Sequence, residues 1–294
     1  MLEHLPVLGV GVSLSLASEP DPVTLVRTPG GPRFVEYAAQ VEADEVIDEI
    51  RRIRDAGATV LFHPSFINFC GSFTNSPLWL ETAAEHIGRV ASPWFAQDCA
   101  YCFWGDSHGY STQLGYFIPP ILNEASLQQA VARVREVRAA IPVTVAIEPP
   151  PMTFTVGTLP LLDFFGRLAD AADCAVLLDM GHLVSWEKAC GGRVLDRLDA
   201  LDCRRVVEVH IAGGRMKDGD SGPIYIDAHE CGIPEENWRM LEAWLPLLPN
   251  LKAVCYECEG RDGASVLATL ARLCELVRRL SANPALVALA GEHA

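Results

Sequence analysis

The chain has no apolar run approaching the roughly 20 residues that a membrane-spanning helix requires, so no membrane partner is expected. It is also short of positive charge: 23 Lys and Arg stand against 38 Asp and Glu, a net charge of -15. A surface of that sign repels phosphate backbones, which argues against a nucleic-acid partner. Internal repeats and low-complexity tracts are lacking. The opening residues, MLEHLPVLGV, carry Glu3 and lack the basic leader and small-residue cleavage site of a secretory signal, so a cytoplasmic location is expected. Ten cysteines would suggest a disulfide framework only in a short secreted chain. Here Cys174, Cys190, Cys203 and Cys274 sit within apolar runs, the habit of reduced core thiols. The pairs Cys99/Cys102 and Cys255/Cys258 have zinc-knuckle spacing, but strand positions i and i+3 face opposite ways, so buried thiols are the better reading.

What is present is alternation. Eight short runs rich in β-branched, leucine or aromatic residues occupy 8–14, 34–38, 59–63, 94–99, 143–148, 175–179, 206–210 and 252–257. Helical periodicity lies between most of them, over 43–56, 127–139, 159–169, 235–247 and 264–280. In the first of these, Val46, Ile47, Ile50 and Ile53 fall on one stripe. Eight strands alternating with helices read as a single (β/α)8 barrel over residues 1–280, with 281–294 a loosely attached tail. The connection 17–32 contains EPDP and TPGGP, shows no helical period, and is long enough for a lid.

The strands end on metal-binding residue types. His210 closes VVEVH, Asp227 and His229 follow in YIDAHE, and Glu257 closes VCYE. Earlier runs end the same way, at His63, Asp98, Glu148 and Asp179, with His182 three residues beyond the last. The C-terminal rim is where a parallel β/α protein keeps its chemistry. Imidazole with carboxylate suits borderline divalent or trivalent metals, and nine candidates exceed what one ion needs, so two or three ions sharing bridging carboxylates are expected. Singly, each has a blander reading. His63 could be a capped core histidine, Asp98 reads equally as a turn aspartate, and an isolated Asp-x-His such as 227–229 is usually a solvated loop.

Residues two apart on a strand share a face, and Leu61, Ala146, Leu177 and Cys255 precede His63, Glu148, Asp179 and Glu257 there, compatible with inward-pointing rim ligands. Glu208, on the face of His210, is the exception: a buried acid that needs a partner. The triple proline 149–151 stiffens the loop after Glu148. Trp104 and Trp186 follow ligand strands closely enough to wall a substrate pocket. Arg215 and Lys217, beyond His210, are either solvated or grip an acidic group of the substrate.

Over about 143–260, in AIEPP, AVLLDMGH, VVEVHIAGG, YIDAHECGIPEENW and VCYECEG, the chain resembles the multinuclear non-heme iron-dependent oxidative enzymes, the MNIO family. The resemblance implies a xylose-isomerase-like barrel with two or three irons in a mixed Fe(II)/Fe(III) state, and dioxygen as co-substrate. It implies oxidative modification of cysteine, or of another residue, in a ribosomally made peptide or a small thiol or amino-acid-like substrate, in some members with a separate peptide-recognition partner protein. It carries ligand roles onto His63, Glu148, Asp179, His210, Asp227, His229 and Glu257, with the catalytic group expected at His210, Asp227 and His229. Three positions depart from the family pattern: Asp98 stands where a histidine is usual, His182 where an asparagine is usual, and Pro149 where an asparagine follows the glutamate. An Asp-x-x-His after the sixth strand also suits the alternative, a two- or three-metal hydrolase or isomerase of the xylose isomerase or endonuclease IV type. A catalytically silent, partner-binding barrel is the third reading, and it leaves nine rim ligands unexplained.

Overall fold

A computed structural model of the chain describes residues 2–14, 19–37, 43–64, 66–105, 111–219 and 222–292. Twelve strands are present among them: β1 (Gly9–Ser13), β2 (Phe34–Tyr37), β3 (Thr59–Phe62), β4 (Trp94–Asp98), β5 (Tyr101–Gly105), β6 (Ser111–Ile118), β7 (Thr144–Glu148), β8 (Ala175–Asp179), β9 (Val206–Ala212), β10 (Gly214–Gly219), β11 (Gly222–Asp227) and β12 (Ala253–Glu257). Eight of them close into a parallel barrel in the order β1-β12-β9-β8-β7-β4-β3-β2. All eight expected strand runs are barrel strands, and the (β/α)8 expectation holds.

The helices are α1 (Pro22–Arg27), α2 (Ala43–Asp55), α3 (Pro77–Val90), α4 (Glu124–Ala140), α5 (Leu161–Ala172), α6 (Met180–Cys190), α7 (Glu235–Trp244), α8 (Gly263–Leu280) and α9 (Pro284–Gly291). The five periodic stretches correspond to α2, α4, α5, α7 and α8. In the connection after β1, residues 17 and 18 lie outside the described residues, whereas 22–27 form α1. Asp21 caps that helix by accepting from the Thr24 amide, and Val23 and Leu25 are buried, so this part of the connection is packed wall. The segment beyond Ser281 is likewise packed: α9 lies on α8, with Leu286 and Ala290 fully buried and Asn283 donating to the Leu251 carbonyl. The eight residues of that helix, PALVALAG, are apolar almost throughout, so they show no period that could be read from sequence.

Two antiparallel hairpins, β5-β6 and β10-β11, follow β4 and β9 at the mouth of the barrel. The core has two shells. Side chains on the outer face of the strands pack against the helices. Inside, Phe34, Leu61, Trp94, Ala96, Ala146, Leu177 and Cys255 fill the lower barrel, and Leu2, Leu5 and Leu8 close its floor. The residue two positions beyond each of Leu61, Ala146, Leu177 and Cys255 therefore points inward, one layer higher.

All ten cysteines are free. Cys174 and Cys274 are buried as expected, but Cys190 is exposed at the end of α6 and Cys203 is half-buried, because each lies where a helical segment meets solvent rather than within it. Both Cys-x-x-Cys pairs are buried thiols. Among the described residues no helix is long and apolar enough to cross a membrane.

Candidate metal centre at the barrel mouth

Strand register explains why the rim side chains meet. Asp98 pairs with Glu148 across β4 and β7. Between β8 and β9 the register runs Val176 to Val206 and then Leu177 to Glu208, a β-bulge that leaves Val207 over and sets Asp179 beside His210. Cys255 pairs with His210, so Glu257 stands one layer above it on β12. His63 follows β3 directly.

Three of the candidate donors, His182, Asp227 and His229, come from beyond the barrel strands. Asp179 ends β8 and caps α6, its Oδ1 accepting from the His182 amide at 2.6 Å, which sets His182 on the first helical turn above the mouth. His182 Nδ1 donates to the Pro149 carbonyl at 3.0 Å, leaving Nε2 turned toward Asp179 and Asp227. The β10-β11 hairpin brings in Asp227, and it is anchored by Tyr225, whose hydroxyl donates to Asn237 Oδ1 at 3.2 Å while Asn237 Nδ2 donates to the Ala212 carbonyl at 3.1 Å. Gly214 makes that packing possible, since a Cβ there would lie 1.9 Å from the Tyr225 hydroxyl. His229 Nδ1 donates to Glu259 at 2.8 Å, leaving Nε2 facing Asp227 at 3.0 Å and Glu257 at 3.5 Å.

The result is five overlapping groups of donors, each with its atoms within 4.8 Å of one another: Glu36/His63/His210, His63/Asp98/Glu148, Glu148/Asp179/His182, Asp179/His210/Glu257 and Asp227/His229/Glu257. All nine sequence candidates converge here. A tenth, Glu36, is not among the sequence candidates; it is an acid in the middle of the short run FVEY, and its one signal is the oddity that marks Glu208, a charge inside an apolar run. Glu208 finds the partner it needs in Trp94, whose indole N–H donates to it at 2.6 Å. Trp94 is thus both packing and support.

The electrostatics are those of a site built for cations. Six carboxylates face four imidazoles at the mouth. Burial and the neighbouring Asp98 push Glu148 up to about 7, against the pull of His182 and His63. Burial, with Glu257 and Asp227 nearby, pushes Asp179 up to about 6. Burial would depress His63, but Glu36, Asp98 and Glu148 overrule it and hold it at about 9. In the same way Glu257, Asp227 and Glu259 overrule burial at His229 and push it up to about 12, while Asp179, Glu148 and Asp227 carry His182, and Glu36, Glu257 and Glu208 carry His210, well above the ordinary imidazole range. Glu257 moves oppositely: burial would raise it, yet His229 and His210 hold it well below the usual carboxylate range.

Hydrogen bonding is incomplete where metal ligands would be. Buried atoms without a hydrogen-bond partner include His63 Nδ1, Asp98 Oδ1, both Glu148 oxygens, Asp179 Oδ2, both His210 nitrogens, Asp227 Oδ1 and Glu257 Oε2. Buried polar atoms are normally satisfied, so a concentration of orphans at one mouth fits residues whose missing partners are metal ions.

The cavity above these groups has a volume of about 760 Å³. Beyond the metal-binding types, its described lining is Phe117, Ile118, Pro119, Pro151, Thr153, Phe154, Tyr225 and Ile226. Trp186 is not among the residues lining it; it is buried within the core shell. The Trp104 side chain lies outside the described residues. Arg215 and Lys217 stand exposed on β10, Arg215 3.9 Å from Glu230.

Comparison with known proteins agrees with this architecture. A xylose isomerase domain protein from Planctomyces limnophilus superposes with a TM-score of 0.64 at 11% identity, over 94% of this chain and 99% of that one. A xylose isomerase domain protein from Salmonella typhimurium gives 0.57 at 14% identity, over 93% and 98%. At these identities the likeness is one of fold. In sequence, a UPF0276 protein of Streptomyces avermitilis is 25% identical over 244 residues, 80% of this chain and 47% of that protein. A UPF0276 protein of Vibrio parahaemolyticus is 26% identical over 158 residues, 52% of each. The chain spans about half the length of the curated relatives it matches. The family model described as "RiPP precursor modification enzyme MbnB/TglH/ChrH" matches residues 24–264, a stretch that holds β2 through β12 and every donor at the mouth. The chain therefore belongs to that family of enzymes, the multinuclear non-heme iron-dependent oxidative enzymes its motifs resemble.

Proposed function

We propose that this protein is a multinuclear iron-dependent oxidative enzyme that uses dioxygen to modify cysteine, or another residue, of a ribosomally made peptide. The observation that carries the metal reading is the set of five overlapping donor groups with their orphaned atoms at one cavity. Imidazole and carboxylate in this mixture suit iron, and carboxylates shared between groups, Glu148 and Glu257, suit ions held close together. The residues proposed to hold them are His63, Asp98, Glu148, Asp179, His182, His210, Asp227, His229 and Glu257, with His210, Asp227 and His229 at the ion where chemistry occurs. When bound, iron supplies redox chemistry with oxygen and a landing place for a thiolate.

The chain's own contribution is positioning and exclusion. The Pro149 carbonyl and Glu259 orient two of the imidazoles. Phe117, Pro119, Pro151, Phe154 and Ile226 wall the cavity and shed water from it. That wall also separates the two metal readings. A sugar isomerase must hydrogen-bond several hydroxyls, whereas the described wall offers only Thr153 and Tyr225 besides the donors themselves, and Tyr225 is already bonded to Asn237. An apolar wall suits a peptide side chain. Arg215 and Lys217, exposed beside the mouth, are proposed to meet acidic groups of the substrate.

The test is metal analysis of anaerobically purified protein together with oxygen uptake. Roughly two to three irons per chain are expected, with oxygen consumed when a cysteine-containing peptide is added. Full turnover with zinc alone and no oxygen uptake would replace this reading with the hydrolase.

A further inference from the structure

One buried acid has no place in the ligand set carried over from the family. Glu36 is 1% exposed and lies in β2, paired in register with Leu61, so it sits one layer below His63. Its Oε1 is 3.1 Å from His210 Nε2, and its Oε2 is 3.8 Å from His63 Nδ1. The two imidazoles share one donor group with Glu36, and each also belongs to a second group of its own. His63 turns its other nitrogen, Nε2, toward Glu148 at 3.4 Å and Asp98 at 3.8 Å. His210 turns its other nitrogen, Nδ1, toward Glu257 at 3.4 Å.

A neutral imidazole has one lone pair, so the nitrogen given to a metal leaves the other carrying a proton. In both residues that second nitrogen points at Glu36. Glu208 also approaches His210 Nε2, through Oε1 at 3.6 Å, a longer contact than that of Glu36, while its Oε2 accepts from the Trp94 indole. Cys255, the remaining polar neighbour, is a weak donor 3.9 Å from Glu36 Oε1.

We propose that Glu36 is a positioning residue: a single carboxylate beneath the cavity whose charge faces one nitrogen of each of two histidines, at 3.1 and 3.8 Å, and so favours, in both, the other nitrogen for the metal centre. This rests on the reading of the mouth as a metal centre. It explains why an acid is retained among Phe34, Leu61 and Cys255 in the dry part of the barrel, where an unpartnered carboxylate would be costly. It also ties two metal positions together, since losing one carboxylate frees two imidazoles to rotate.

The test is anaerobic Fe(II) titration of the metal-free protein in competition with a chelator, comparing the unaltered chain with Glu36→Gln and Glu36→Ala, with total bound metal measured at saturation. Glu36→Gln removes the charge but keeps a polar group facing both rings, so Fe(II) affinity is expected to fall by about 10-fold, and Glu36→Ala by about 100-fold, while bound iron at saturation stays at the unaltered count. Affinity equal to that of the unaltered chain in both variants overturns the proposal. Loss of one equivalent at saturation also overturns it, because Glu36 is then itself a ligand. If neither variant folds by circular dichroism, Glu36→Asp is used; its shortened carboxylate retains the charge but not the reach, and unaltered affinity there overturns the proposal. Failure of the unaltered chain to bind Fe(II) would instead remove the metal reading on which the proposal stands.

Discussion

The two ends of the barrel are made of the same eight strands and obey opposite rules. At the floor, Leu2, Leu5, Leu8 and Phe34 pack as an apolar layer, and the ion pairs near the rim of that end are satisfied: Arg205 with Asp170 and Asp173, Arg138 with Asp173 and the Ala172 carbonyl. At the mouth, a few residues further along each strand, six buried or half-buried carboxylates crowd four imidazoles and leave many atoms without partners. Nothing about folding requires that arrangement. The floor holds the strands together; the mouth draws on that stability to keep ligands in place that the metal-free protein would be more stable without.

The largest break in this comparison is expected from shared ligands. Glu148 belongs to two donor groups and Glu257 to two others. Glu148→Ala or Glu257→Ala should therefore remove more than one iron per chain and lower turnover by about 100-fold or more, read by metal analysis and oxygen uptake. A chelator that strips the iron should do the same reversibly. Next in size is the floor. Leu177→Ala opens a cavity at a fully buried site and should cost about 2–5 kcal/mol in denaturant unfolding, with the iron count of the folded protein unchanged.

The opposite sign is expected at the mouth of the metal-free protein. Burial raises Glu148 to about 7 in the folded chain, from an ordinary value of 4.5, so its ionised form disfavours folding. That cost is absent below pH 4.5, grows between 4.5 and 7, and is complete above 7. Glu148→Gln should thus stabilise metal-free protein at pH 8 by about 1–3 kcal/mol and have little effect at pH 4, measured by urea unfolding at both values. Equal effects at both pH values would remove the argument.

Protons and iron should also compete. His63 holds its proton up to about 9 in the absence of metal, and ligation requires the neutral ring, so iron uptake should release protons and tighten as pH rises from 6 toward 9. Calorimetry in buffers of different ionisation enthalpy reads the protons directly. The smallest effects belong to the exposed hairpin: Arg215→Ala and Lys217→Ala should leave stability within about 0.5 kcal/mol and iron content unchanged, and alter only KM for an acidic peptide.

Much of this was legible in the chain because strand ends announce themselves. A run such as AVLLD or VVEVH is apolar until it reaches the rim, and the polar residue that closes it stands out. Asp227 and His229 were legible through their order between two such strands, although it takes the β10-β11 hairpin, anchored by Tyr225 and Asn237, to swing Asp227 over the mouth. Other features carried no such mark. Helix α3 has buried Leu80, Ala83, Ile87 and Val90 but begins after a stretch of Ser, Asn and Pro that reads as loop. The departure of Cys190 from the core follows from where α6 stops, which depends on Gly191 at a φ of 71°.

The sequence by itself determined the alternation of elements, the barrel that follows from it, and which side chains end each strand, because those are matters of local period and composition. Only the tertiary structure decided which of them meet. Barrel closure puts β2 beside β3 and three strands round from β9, so Glu36 can reach His63 and His210 at once, residues 27 and 174 positions further along the chain. A bulge of one residue in β9 sets His210 level with Asp179. Distances of that kind are fixed by shear and register, which no single segment encodes.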